Sequence, residues 1–188
     1  MAACPGKPRT APVGESVAGT YELIACRAPC NPGVRGTTLA RGLLVLEDQP
    51  YSLDRVPEPA RSHIRDSYLI MDDDEIADPN VCFVVERIPD AETYAGIEKV
   101  GMTTWRGENG GGIWLRLFQS PDAAYVLSLS RVGADLRGSG ESWGGENRGA
   151  AFPRDSVYAR RIGPPDRGPC IRAAIKEAEE FRRDRASP

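Results

Sequence analysis

From Ile97 onward the chain breaks each of its apolar runs with glycine, proline or Asn-Gly turns, at intervals too short for helices of ordinary length. Ile97 to Arg106 leads into Gly107-Glu108-Asn109-Gly110-Gly111-Gly112, a connection of residues that tolerate positive φ and so turn a hairpin tightly. Ile113 to Gln119 turns at Ser120-Pro121-Asp122. In Ala124 to Arg131, Tyr125, Leu127 and Leu129 alternate with Ser128 and Ser130, the period-two pattern of a strand with one buried face. Gly133 turns the chain into Ala134 to Trp143, where Gly138 and Gly140 mark sharp bending or close packing. The loop from Gly144 to Gly149 leads on to Ser156 to Ile162, which ends the series.

The first half carries the same signal less regularly. Ala18 to Cys26, Thr37 to Leu46, Ser67 to Met71 and Val81 to Arg87 read as strands, whereas Pro57 and Pro59 argue against any regular element between Tyr51 and Arg65. Beyond Gly163-Pro164-Pro165, Ile171, Ala174, Ile175, Ala178 and Phe181 fall on one face of a helix over 171–185. Its glutamates precede Arg182, Arg183 and Arg185, the order the helix dipole favours. Strands at about 8–12-residue spacing predict an all-β fold, an antiparallel up-and-down barrel of about eight strands. The helix should pack outside it through Ile171, Ile175 and Phe181. Residues 1–17 form a Pro/Gly-rich tether, leaving 18–188 as a single domain.

Composition narrows the function classes. Twenty glycines and 16 prolines suit short strands and turns rather than helices. The 24 basic and 27 acidic residues are mixed along the chain, so neither a nucleic-acid surface nor a polybasic membrane segment is expected. No apolar run reaches the length of a transmembrane helix.

The opening Met1-Ala2-Ala3-Cys4, followed by Pro5-Gly6-Lys7-Pro8-Arg9-Thr10-Ala11-Pro12-Val13-Gly14, resembles the end of a bacterial lipoprotein signal peptide and its tether. Met1 stands where that family usually has leucine. The resemblance implies acylation of Cys4, attachment to a membrane through that lipid anchor alone, and a periplasmic or cell-envelope location. It also accounts for an odd cysteine count: with Cys4 set aside, Cys26, Cys30, Cys82 and Cys170 can form two disulfides in three ways. Cys26–Cys30 with Cys82–Cys170 is the most economical pairing, its second bridge closing a loop of roughly 90 residues. A zinc site joining Cys26 and Cys30 to Cys82 or His63 lacks the usual paired spacing.

Strand count, glycine-bent late strands and a trailing helix give the chain the look of the lipocalin and avidin barrels. Ala18-Gly19-Thr20-Tyr21 echoes the lipocalin opening Gly-x-Trp, with tyrosine in place of tryptophan. That likeness implies a small apolar or amphipathic ligand held by Trp105, Trp114, Arg116, Tyr125 and Trp143, the arginine stacking on ligand or indole. Trp114 and Phe118 share a face with Arg116, opposite Ile113, Leu115 and Leu117, and the pattern leaves open which face points inward.

Catalytic signals are sparse. His63 is the single histidine, sits among Arg61, Ser62 and Arg65, and reads as a solvated residue, which argues against a histidine-based triad. Asp72-Asp73-Asp74-Glu75, with Asp78 and Asn80, is acidic enough to interest calcium but lacks the glycine and ligand spacing of an EF-hand loop. No metal or cofactor is expected. The leading reading is a non-catalytic carrier. The alternatives are a barrel enzyme of isomerase or cyclase type, pairing Glu98 or Glu141 with Tyr21 or Tyr125, and an envelope interaction or inhibitor module that engages a protein partner. Non-reducing mass analysis of exported protein should find two disulfides with Cys4 in neither. Four free thiols, or Cys4 bridged to a domain cysteine, would contradict this.

Overall fold

The computed structural model describes residues 16–27, 38–67, 79–87, 100–103, 105–107, 112–119, 123–144 and 155–186. Nine strands lie among them: β1 (Gly19–Arg27), β2 (Thr38–Leu46), β3 (Val81–Arg87), β4 (Val100–Thr103), β5 (Trp105–Gly107), β6 (Gly112–Gln119), β7 (Ala123–Val132), β8 (Asp135–Gly144) and β9 (Asp155–Gly163). Two helices complete the set, α1 (Ala60–Ser67) and α2 (Gly168–Ala186), with a 3-10 turn at Leu53–Arg55. All strand pairs are antiparallel, in the order β4-β3-β2-β1-β9-β8-β7-β6-β5.

The first strand therefore pairs with the last. Tyr21 lies opposite Leu44 on β2 and opposite Arg161 on β9, with a register shift between Thr20 and Tyr21. The two ends of the sheet, β4 and β5, are separated in sequence by Thr104 alone, so the sheet curls until its edges approach each other. The closed eight-stranded barrel expected from sequence is corrected to a curled nine-stranded sheet. The expected strand from Ile97 to Arg106 gives two short pieces of four and three residues. The first pairs with β3 and the second with β6. Strand tilt in a strongly curled sheet staggers the neighbours on either side, so each overlaps only part of this stretch.

Alternation sets the two faces. Tyr21, Leu23, Ala25, Leu44, Leu46, Val81, Phe83, Val85, Ile113, Leu115, Leu127, Leu129, Leu136, Val157 and Ala159 meet inside the curl as one apolar cluster. On β2 and β3 the opposite face is apolar as well. Val45 and Cys82 join Leu53, Val56, Ala60, Ile64, Cys170 and Ala174 in a second cluster beneath the helices. Cys82 on β3 is disulfide-bonded to Cys170 in α2, as the economical pairing predicts, with Cα atoms 6.3 Å apart. The two residues stand 88 apart in sequence, a loop whose closure is worth about 4.6 kcal/mol in the chain-entropy treatment.

Two elements differ from expectation. α1 occupies part of the stretch where prolines argued against regular structure. Pro57 and Pro59 stand just before its first turn, where helices tolerate proline because the missing N–H has no intrahelical acceptor. Glu58 accepts hydrogen bonds from Ser62 N at 3.2 Å, Ser62 Oγ at 2.9 Å and Arg61 Nε at 2.8 Å, so its side chain supplies the acceptor the helix start lacks. Ser67 ends this helix rather than opening a strand, and 68–71 lie outside the described residues. α2 begins at Gly168, three residues early, and buries Cys170, Ala174 and Ala178. Ile171 and Ile175 are partly buried beside them, but Phe181 is 49% exposed. The buried stripe is set by the disulfide and by small residues that let α2 lie close to the sheet.

Gly138, read as a point of close packing, is one. A Cβ there would stand 1.8 Å from the Ser128 carbonyl oxygen and 2.9 Å from Leu129 Cα, so backbone rather than a flexible side chain blocks it. Gly138→Ala should therefore cost about 1–3 kcal/mol, the range of overpacking. Urea denaturation measures it, and an unchanged midpoint would show that β7 and β8 do not approach this closely.

Candidate functional site

Polar chemistry among the described residues collects at the end of the sheet where β1 begins and β9 ends. On β7 the inward series Leu127, Leu129 continues to Arg131, and on β9 the series Val157, Ala159 continues to Arg161. Two arginines thus stand over the apolar interior where the pattern would place two further hydrophobes. Arg131 Nε donates to Gly133 O at 2.8 Å, and Arg161 Nη2 donates to Ala18 O at 2.7 Å. Tyr21, 1% exposed, reaches this rim from inside and donates its hydroxyl to Val17 O at 2.7 Å. Burial raises its pKa above the ordinary tyrosine value, opposed by Arg161 and Arg131.

Asp135 ties the rim to the outer face. Its carboxylate accepts from Tyr158 Oη at 2.6 Å and from the Arg161 backbone N–H at 2.9 Å. These bonds, the Tyr158 one first, hold the carboxyl below the usual carboxylate range, and the same contact raises the Tyr158 phenol. A depressed folded pKa stabilises the fold above about pH 4, the unfolded value, and that contribution is lost as pH falls through the folded value. Arg137 lies 5.0 Å over the Tyr158 ring, and Arg160 pairs with Glu22 at 2.7 Å.

A second polar group anchors the start of α2. Arg167, its side chain 11% exposed, forms an ion pair with Glu47 and stacks 3.6 Å over the Tyr51 ring. Burial lowers its pKa to about 10, which leaves it cationic at neutral pH. Thr20 Oγ1 donates to Pro164 O at 2.7 Å and accepts from Asp166 N at 2.9 Å, and Asp166 Oδ1 accepts from Gly168 N at 2.8 Å. These contacts fix the turn between β9 and α2.

The expected site residues are dispersed. Trp114 is half-buried on the face of β6 opposite Ile113 and Leu115, hence outside the curl, with Ser128 as its cross-strand neighbour. Arg116, Tyr125, Trp143 and Trp105 have backbones in β6, β7, β8 and β5, but their side chains lie outside the described set. Glu141 follows the outward series of β8 opposite Val126, whereas Tyr21 points inward, so these two supposed catalytic partners are not brought together. Glu98, Cys4, Cys30 and the acidic run 72–75 lie outside the described residues. Cys26 is disulfide-bonded, its partner also outside them.

His63 is not the solvated residue its neighbours suggest. α1 turns it toward α2, where its side chain is 10% exposed, Nε2 stands 3.8 Å from Glu177 Oε2 and the ring centroid lies 6.0 Å from that of Phe181. Among the described residues no group of three or more His, Cys, Asp or Glu could hold a metal, and no helix is long and apolar enough to cross a membrane. Comparison with protein-family models, curated proteins and solved structures finds no match to this chain.

Sequence reasoning passes over Arg131, Arg161 and Arg167. For the first two a signal exists, since each interrupts a period-two apolar series at its last position; for Arg167 nothing local marks the pairing with Glu47. Arg167→Met should destabilise the fold by about 2–3 kcal/mol, because it leaves the Glu47 carboxylate without its cation in a mostly buried place. A double change to Arg167→Met with Glu47→Gln should recover part of that loss. Equal stability of wild type and Arg167→Met in thermal unfolding would show that the pair is solvated.

Proposed function

We propose that the protein is a non-catalytic binding module of the bacterial cell envelope, exported and tethered to a membrane through acylated Cys4. In this reading it engages a protein partner through its outer surface. What favours a surface-acting module over an internal carrier is the complete burial of six side chains of the inner cluster. Leu44, Leu46, Leu115, Leu127, Leu136 and Ala159 all have 0% exposure. A void large enough for one water molecule would leave accessible surface on the side chains around it, so an enclosed ligand has no room beside these residues.

Export is supported by the Cys82–Cys170 bond and by the bonded state of Cys26, because structural disulfides persist mainly in oxidising compartments. The buried cluster inside the curl is apolar, and the Tyr21 hydroxyl within it is bonded to Val17 O. The same apolar character is what keeps the carrier as a second reading, since an apolar ligand requires such a lining.

One residue separates the two. Ala159→Leu adds three carbons to the inner face at a position with 0% exposure. A packed interior should lose about 1–3 kcal/mol of stability to it in urea denaturation. Fatty acids, sterols, haem and quinones should leave the melting temperature of the wild type unchanged. A tolerated leucine together with a ligand-dependent rise in melting temperature would overturn the surface reading and restore the carrier. Such a rise would correspond to about 2.7 kcal/mol at a hundredfold excess over Kd.

A further inference from the structure

We infer that the rim formed by Arg131, Arg161, Arg160, Arg137, Val132 and Ile162 rests against an anionic lipid bilayer when the protein is tethered. The inference builds on the tethered-domain reading above and adds the face by which the domain meets the membrane. Three observations converge on this end of the fold.

Exposed apolar side chains come first. Of the large hydrophobic residues that stay exposed among those described, Val132 at 50% and Ile162 at 54% are both here, whereas Phe181 lies far along α2. Val132 pairs with Asp135 at the turn between β7 and β8, and the Asp135 carboxylate bonds the backbone of Arg161, next to Ile162. The two apolar side chains thus flank one hairpin at the rim. Their size and place fit shallow insertion at the boundary between headgroups and acyl chains.

Charge is the second. Four arginines stand at this end against three carboxylates, Glu22, Asp135 and Asp48. Asp135 is turned to Tyr158 and the Arg161 backbone, while the Arg131 and Arg161 guanidinium groups donate to carbonyl oxygens. Asp48, across Tyr21, accepts from the Ser16 hydroxyl at 2.7 Å. The local excess of positive charge matches phosphate headgroups, each arginine near such a surface strengthening binding about fivefold.

The third is where the tether enters. The chain comes into the domain at Ser16 to Ala18, and the Ala18 carbonyl accepts from Arg161 itself. Twelve residue steps separate Cys4 from Ser16, a length that reaches at most about 40 Å. A lipid on Cys4 would therefore bring this end toward the bilayer, at an effective concentration where weak contacts suffice.

The test removes the lipid so that the face alone is read. The full chain carrying Cys4→Ser, made without acylation, is sedimented with vesicles of phosphatidylglycerol mixed with phosphatidylcholine and with vesicles of phosphatidylcholine alone. Binding is expected to the anionic vesicles only, falling steeply with added salt. Arg137→Glu should weaken it at least fivefold. The pair Val132→Ser and Ile162→Ser, at exposed positions, should also weaken it, both proteins melting as the parent does. Equal binding to neutral vesicles, no binding to either, or undiminished binding by folded variants would overturn the inference. Mass analysis of Cys4 in protein from membranes reads the tether separately. An acylated Cys4 with vesicles ignored by the domain would sink this inference alone, and an unmodified Cys4 would sink the tethering.

Discussion

The pairing of β2 with β3 is the contact on which most of this molecule depends, because both of its faces are buried. Leu44, Leu46, Val81, Phe83 and Val85 send their side chains into the curl of the sheet. Val45 and Cys82, one residue out of phase, send theirs beneath the helices. A strand pair buried on one face could leave the other to water, as most antiparallel sheets do. Here the second face recruits α1 and α2, and the Cys82–Cys170 bond fastens α2 to it. Gly42, opposite Leu23 and Val85, lets the neighbouring strand come close, since a Cβ would meet Val84 O at 2.3 Å. Loss of this pair would expose both apolar clusters together.

That two-sided burial also explains what the sequence does and does not reveal. Period-two alternation locates β6 to β9 to within a few residues, because each carries an alternating inner apolar series and the sequence places glycine, proline or asparagine near its ends. The cysteine spacing yields the Cys82–Cys170 bond for a similar reason: economy of pairing is a local argument. The continuous apolar runs of β2 and β3 identify strands but not what covers their outer face. α1 escapes notice because a proline is read as a breaker unless its place relative to the first helical turn is known, and Pro57 and Pro59 stand where helices accept it. The Arg167–Glu47 pair joins residues distant in sequence through a fold that no local pattern encodes.

His63 teaches the same lesson from the other side. Flanked by Arg61, Ser62 and Arg65, it reads as a surface residue, yet the side of α1 that carries it faces Glu177 and Phe181. Neighbours in sequence predict exposure poorly on a helix, where adjacent residues point about 100° apart. The tryptophans show a different limit. Alternation separates Trp114 from Ile113 and Leu115 but does not say which set is inside, and the answer comes from the bulk of the interior, built from strands far apart in the chain.

The functional account rests on the interior being a core, with binding assigned to the outer surface and to the arginine-bearing rim. Hydrostatic pressure tests that most directly, because the volume change of unfolding scales with the void eliminated when the native structure opens. Pressure unfolding followed by tryptophan emission should give a volume change toward the small end of the usual range, about −20 to −50 mL/mol. A value near or beyond about −100 mL/mol would mean a hollow interior and would contradict the account.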